Sequence, residues 1–146
     1  MTQYRDLAIL LLRIATAANF LSPVADRFGW WGAPGDAGVA WGSWPAFVEY
    51  TGQVNSFAPA GMIPFLAATA TALEIFFALF LLIGFKTRLA ATGSAVLTFL
   101  FAVSMAISFG IKTPLDYAVF VDFTSAFLLA TVDRYKWSVD EMLSKK

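Results

Sequence analysis

The sequence predicts an all-α protein, an antiparallel four-helix transmembrane bundle with an extracytoplasmic capping loop and short helix. Three observations predict it. Hydrophobic residues make up 59% of the chain and charged residues 14%, against about 45–50% and about 25% in soluble domains. Four apolar stretches, Leu7–Val24, Met62–Gly84, Leu89–Ile111 and Leu115–Val132, approach the about 20 residues needed to cross a hydrocarbon core of about 30 Å. Three ionisable residues, Arg13, Glu74 and Asp122, lie deep inside those stretches, and a charge in lipid is costly enough that it normally faces a bundle interior, a partner or a pathway. The runs are continuous, without the short alternating strands of an outer-membrane barrel. At 146 residues the chain has room for one domain, residues 1–146.

The first stretch is preceded by Arg5 and contains the small-residue triplet Ala15-Thr16-Ala17, features shared with a cleavable signal peptide. Arg13 in the middle of the apolar run argues against cleavage, so this helix is expected to be kept. The outer loop, about Gly29 to Gly61, opens with the turn-forming WWGAPGDAGVAWGSWP. In the following SWPAFVEYTGQVNSF, Ser43 or Trp44 suits a helix cap and Pro45 its first turn. Phe47, Val48, Tyr50, Thr51, Val54 and Phe57 then recur at near-helical spacing, which suits a helix lying on the membrane or lidding the bundle. Trp30, Trp31, Trp41 and Trp44 fall at headgroup depth, where an interfacial belt is the plain reading; with Tyr117 they are also candidates for an aromatic lid. In the second and third stretches, Ala67, Ala68, Ala70, Ala72 and Ala90, Ala91, Gly93, Ser94 permit close helix contact. The many phenylalanines beside them suit lipid contact or core packing for the most part, although aromatics flanking a midplane polar group also describe a quinone-like pocket.

Orientation follows from lysine and arginine. Arg5, Lys86, Arg88, Arg134, Lys136, Lys145 and Lys146 share one side if the chain crosses four times, with Arg27 and Lys112 on the other. The positive-inside rule then places both termini in the cytoplasm and the long loop outside.

Measured from the cytoplasmic ends at about 1.5 Å per residue, Arg13 lies ~11 Å, Glu74 ~15 Å and Asp122 ~17 Å deep. These overlapping layers predict Arg13 against Glu74, Asp122 or both, with Asn19 among the groups that complete the hydrogen bonds. Arginine suits such a role because its planar fork grips a carboxylate at two points and keeps its charge. The plain reading is a staple between helices; the sharper one is a polar anchor for a lipophilic ligand. Two acids against one arginine leave one acid over, a candidate for proton chemistry.

Two absences narrow the chemistry. Without cysteine or histidine the chain offers no thiol relay, no iron–sulfur or haem ligation of the usual kind and no imidazole metal site. No metal and no covalent cofactor is expected, only a noncovalently held quinone or lipid. A formal net charge of zero leaves no basic face for nucleic acid.

The segments LLLRIATAANFLSPVADRFGWWG, ALEIFFALFLLIGFKTRLAA and SFGIKTPLDYAVF together resemble the DoxX family of small four-helix bacterial membrane proteins, over nearly the whole chain. The family's first-span arginine falls on Arg13, its second-span glutamate on Glu74, and its basic hairpin on Gly84, Thr87 and Arg88. The resemblance favours Glu74 as the paired acid and Asp122 as the freer one. It implies a bacterial inner-membrane protein, and, from the DoxX-related subunits tied to thiosulfate oxidation with quinone reduction, a subunit that binds a quinone or other lipophile near Arg13, Glu74, Asp122 and Asn19 and serves a redox partner. An independent enzyme is not expected. A noncatalytic scaffold and a small-solute or proton-coupled transporter are the alternatives; membrane lipid and a second copy of the chain are the other candidate partners. Fold transfers across a family more safely than function.

The orientation has a direct test. A reporter active only outside the cytoplasm should give signal when fused after Asp36 or Lys112 and none after Lys86 or Lys146; signal after Lys86 reverses the assignment.

Overall fold

A computed structural model describes residues 2–144; Lys145 and Lys146, expected at one end of the bundle, lie outside the described residues. Within that range the fold is all-helical, with no strand. Its elements are α1 (Thr2–Arg27), α2 (Trp44–Val54), α3 (Ile63–Ile83), α4 (Thr87–Phe109), α5 (Lys112–Asp116), α6 (Val119–Ala130) and α7 (Val139–Ser144). A 3-10 turn, Ala60–Met62, leads into α3.

Three segments, Gln3–Arg27, Ala60–Ile83 and Thr87–Phe109, are long and apolar enough to cross a membrane, with mean hydropathy 1.7, 2.2 and 1.9. Their inward faces are written at helical spacing. Ile9, Arg13, Ala17, Phe20, Val24 and Arg27 form a buried stripe on α1, in steps of three and four residues that keep side chains on one face. Ile63, Ala67, Thr71, Glu74, Ala78 and Leu81 do the same on α3. The outward faces are apolar too: Leu11 is 57% and Phe65 66% exposed. A helix hydrophobic all round needs lipid, or more protein, against its outer side. On α4 the buried positions are small, among them Ala90, Ala91, Ser94, Ala95 and Ala102. Gly93 receives the ring of Phe77; a Cβ there would stand 2.3 Å from the ring's Cζ.

The short helix of the loop forms as expected. Ser43 caps α2, its Oγ accepting the Ala46 N–H at 3.4 Å, and Pro45 sits in the first turn. Phe47, Thr51 and Val54 face inward. Past its C-terminus, Ser108 of α4 donates to the Val54 carbonyl at 2.6 Å and meets the Ser56 hydroxyl at 2.9 Å.

The expected fourth span, Leu115–Val132, is not one continuous helix. α5 ends at Asp116, and Ala118 adopts a left-handed conformation with φ 54° before α6 begins. The 12 residues of α6 rise only about 18 Å, short of the hydrocarbon thickness. The chain still returns along α4, because Arg88 at the start of α4 donates to the carbonyl of Val132 just past α6, at 3.1 Å.

The C-terminal segment locks the α3–α4 hairpin. Gly84 ends α3 in the left-handed region at φ 70°, and the N–H groups of Gly84 and Phe85 both bond the Phe80 carbonyl, a glycine-dependent helix stop. The first N–H groups of α4 would be orphans, but the Asp140 carboxylate accepts from Lys86 and Thr87, each at 2.7 Å, an anion on a helix N-terminus. Asp140 returns its own N–H to the Gly84 carbonyl at 2.9 Å.

Gly84→Ala should therefore destabilise strongly. The new Cβ would lie 2.4 Å from Ser138 Cβ and 2.9 Å from its Cα, on backbone that disfavours a side chain. A loss of about 1–3 kcal/mol is expected from the overpacking, read as a lower melting temperature in detergent, with Gly35→Ala, where nothing lies within 4 Å of the added Cβ, as the milder control.

Candidate functional site

The centre of the site is a pair the sequence did not announce. Arg27, expected in the outer loop region, is the last residue of α1 and is only 4% exposed. Its Nη1 and Nη2 grip the two carboxylate oxygens of Glu74, the second at 3.0 Å. Nη1 also donates to Thr71 Oγ1 at 2.7 Å, while the Thr71 hydroxyl donates to the Ala67 carbonyl. The Phe47 ring of α2 covers the guanidinium at 3.8 Å and Trp41 lies 5.5 Å away, so the cation meets two π faces as well as its carboxylate.

The neighbouring Asp26 places Trp41. Its carboxylate accepts the backbone N–H groups of Ala40, Trp41 and Gly42 at 2.8–2.9 Å. Trp41 then packs edge-on to Phe47, with ring centres 5.1 Å apart, and against Tyr50 at 5.4 Å. Burial, with Tyr117 nearby, pushes the Tyr50 phenol above its usual range, so it stays a neutral hydroxyl.

A second polar pair lies two helical turns back on α1, about 12 Å from Arg27 along the axis. Asn19 Nδ2 donates to Asp122 Oδ1 at 2.9 Å. Asp122 occupies the first turn of α6, so the chain break at Ala118 sets this carboxylate at a helix start, where a negative charge is favoured. The other carboxylate oxygen, Oδ2, has no hydrogen-bond partner among the described residues.

Both pairs line one cavity of about 1030 Å³ between α1, α2, α3, α4 and α6. Its wall is mostly apolar, with Leu12, Leu66, Leu73, Leu97, Phe101 and Met105 among its members. Ligand sites typically span about 300–1,000 Å³ and combine apolar lining with a few placed polar groups, and this cavity has that composition.

Of the residues singled out by sequence, Glu74, Asp122, Asn19, Trp41 and Tyr117 meet at this cavity, and Arg13 does not. Arg13 pairs with neither acid. It is 2% exposed, its Nη2 donates to the Trp137 carbonyl at 3.0 Å, and its Nη1 lies beside Gly84. The cause is register. Taking Asp6 as level with Gly84 sets α1 too high, whereas the structure sets Arg13 level with Gly84, a slide of seven residues or about 10 Å. That slide leaves Arg13 on the floor of the bundle and draws Arg27 down to Glu74. Trp30 and Trp31 are 79% and 62% exposed; Trp31 donates its indole N–H to Ser22, and Trp44 stacks on Phe28. None of these three lines the cavity.

No group of three or more histidine, cysteine or carboxylate side chains suited to a metal occurs among the described residues. The DoxX family model matches residues 8–107, which runs from within α1 to within α4 and includes Arg27 and Glu74; the chain belongs to the DoxX family. No curated protein and no solved structure matches it.

Removing one partner of a buried ion pair strands the other charge, at about 3–5 kcal/mol. Arg27→Leu and Glu74→Leu should each destabilise by that order in detergent unfolding, while the double variant loses less than the sum. Arg13→Leu with Glu74→Leu should be additive, because the two side chains do not meet; coupling there and none at Arg27 would contradict the geometry.

Proposed function

We propose that this DoxX-family membrane protein binds a lipophile in the cavity between α1, α2, α3, α4 and α6 and presents it to a redox partner, a quinone being the redox-active member of that ligand class. The supporting observation is the cavity itself, about 1030 Å³ of mainly apolar lining with the Arg27–Glu74 and Asn19–Asp122 pairs set into its wall. A space of that size and polarity suits a ring or headgroup with an aliphatic tail. The chain has no cysteine or histidine to ligate a haem or cluster of the usual kind or to form a thiol relay, so its part in such chemistry is to hold and orient the ligand. We further place it in the bacterial inner membrane, both ends cytoplasmic and α2 on the outer side, on the lysine and arginine bias.

Mass spectrometry of material extracted in mild detergent tests the reading. A stoichiometric lipid or quinone is expected from the wild-type protein, and Leu73→Trp, which fills the cavity wall, should release it while leaving the Arg27–Glu74 pair intact. Folded protein that retains nothing would favour a scaffold held together by its ion pair; release on both sides of a sealed vesicle would favour a transporter.

A further inference from the structure

We infer that the ligand of this cavity carries a hydroxyl that donates a hydrogen bond to Asp122 Oδ2, so that α6 and not the Arg27–Glu74 pair selects its headgroup. The inference rests on the cavity being a lipophile site.

The polar atoms of the wall are not equally available. Arg27 has committed Nη1 and Nη2 to Glu74 and Thr71, its Nε is sealed from contact, and Phe47 covers the guanidinium face. Both Glu74 oxygens are held by that fork. Thr16 and Thr98 spend their hydroxyl protons on the carbonyls of Leu12 and Ser94. The hydroxyls of Tyr50, Thr69, Ser104, Tyr117 and Ser125 and the amide oxygen of Asn55 also reach this wall without a partner among the described residues, but they are neutral. Asp122 is the carboxylate left open, for Asn19 occupies Oδ1, Oδ2 has no partner among the described residues, and the side chain faces the cavity without being buried.

A carboxylate oxygen left open in an apolar cavity is an unsatisfied acceptor, which costs free energy until a donor reaches it. The α6 N-terminus behind it and the Asn19 amide on its other oxygen both favour the acceptor role. The complementary ligand group is a donor: a phenolic or alcoholic O–H at the head of a lipophile. An ether or a ketone presents only lone pairs to it and gains nothing there. Among quinone-type ligands, the same atom prefers the reduced, dihydroxy form, since only that form has O–H groups to give.

The test uses two probes of matched size, 4-nonylphenol and 4-nonylanisole, titrated calorimetrically into the full-length protein in detergent, each corrected for micelle partitioning. The phenol should bind about tenfold tighter than the ether, the factor carried by 1.4 kcal/mol. Asp122→Leu should bring that ratio to about one with the ether's affinity unchanged. If Asp122→Leu does not fold, Asn19→Leu leaves the carboxylate in place and should preserve the preference, while Asp122→Asn, a neutral acceptor, should shrink it to about two- to threefold. Equal binding of the two probes to wild type, or a preference that survives at Asp122→Leu, overturns the inference and leaves the lipophile site standing. Binding of neither probe overturns both.

Discussion

A guanidinium buried between helices cannot shed its proton, so Arg27 obliges the structure around it to supply a counter-charge. Much of this end of the bundle answers that demand. Glu74 must sit at mid-height on α3, Thr71 one turn earlier to take the remaining bond of Nη1, and α1 must slide until its last residue reaches both. Phe47 and Trp41 close the top of the cation, which gives α2 a docking position and keeps water from screening the pair. Buried pairs of this kind are weak sources of net stability but severe penalties when mismatched. Their effect here is to fix which helices meet and at what height.

The other end of the molecule solves the complementary problem. Arg13 is equally buried but meets backbone instead of a carboxylate, its Nη2 on the Trp137 carbonyl with Asp140 as the nearby negative charge. That same Asp140 caps α4. Earlier in the same segment, the Tyr135 hydroxyl donates to the Leu129 carbonyl and Lys136 pairs with Asp6. A segment with little hydrophobic pattern of its own thus folds against the bundle because it satisfies orphan groups at three helix ends.

Class, the three long helices, the α2 cap and the acids Glu74 and Asp122 were legible in the sequence because each is local. Apolar length, a Ser-Trp-Pro start and a charge within an apolar run are all properties of a few neighbouring residues. The partner of Glu74 was not legible, because it depends on how far α1 slides along α3, and an apolar stretch alone does not mark its own depth. One signal was present: Leu7–Val24 was short for a span, and extending it to Arg27 gives the missing length while carrying a second arginine inward. The split of the fourth stretch was hidden differently. Its composition is mostly apolar, and only the polar Asp116-Tyr117 step after Pro114, just before the left-handed Ala118, marks where the chain turns.

The helix that roofs the cavity is fastened at both ends. Before it, the three N–H groups of Ala40–Gly42 are tied to Asp26; after it, Ser108 holds the Val54 carbonyl and Ser56. The glycine-rich loop 29–42 would otherwise read as a hinge, yet Gly42 lies so close to the Ala33–Pro34 peptide that no side chain fits. A roof tethered in this way does not swing. On the reading proposed above, traffic to the cavity runs sideways, between helices, on the flank where Asn19 is exposed beside the short α6. An occupant of the kind proposed above would be sampled from molecules already dissolved in the bilayer, and its on-rate would follow two-dimensional concentration in the lipid instead of solubility in water.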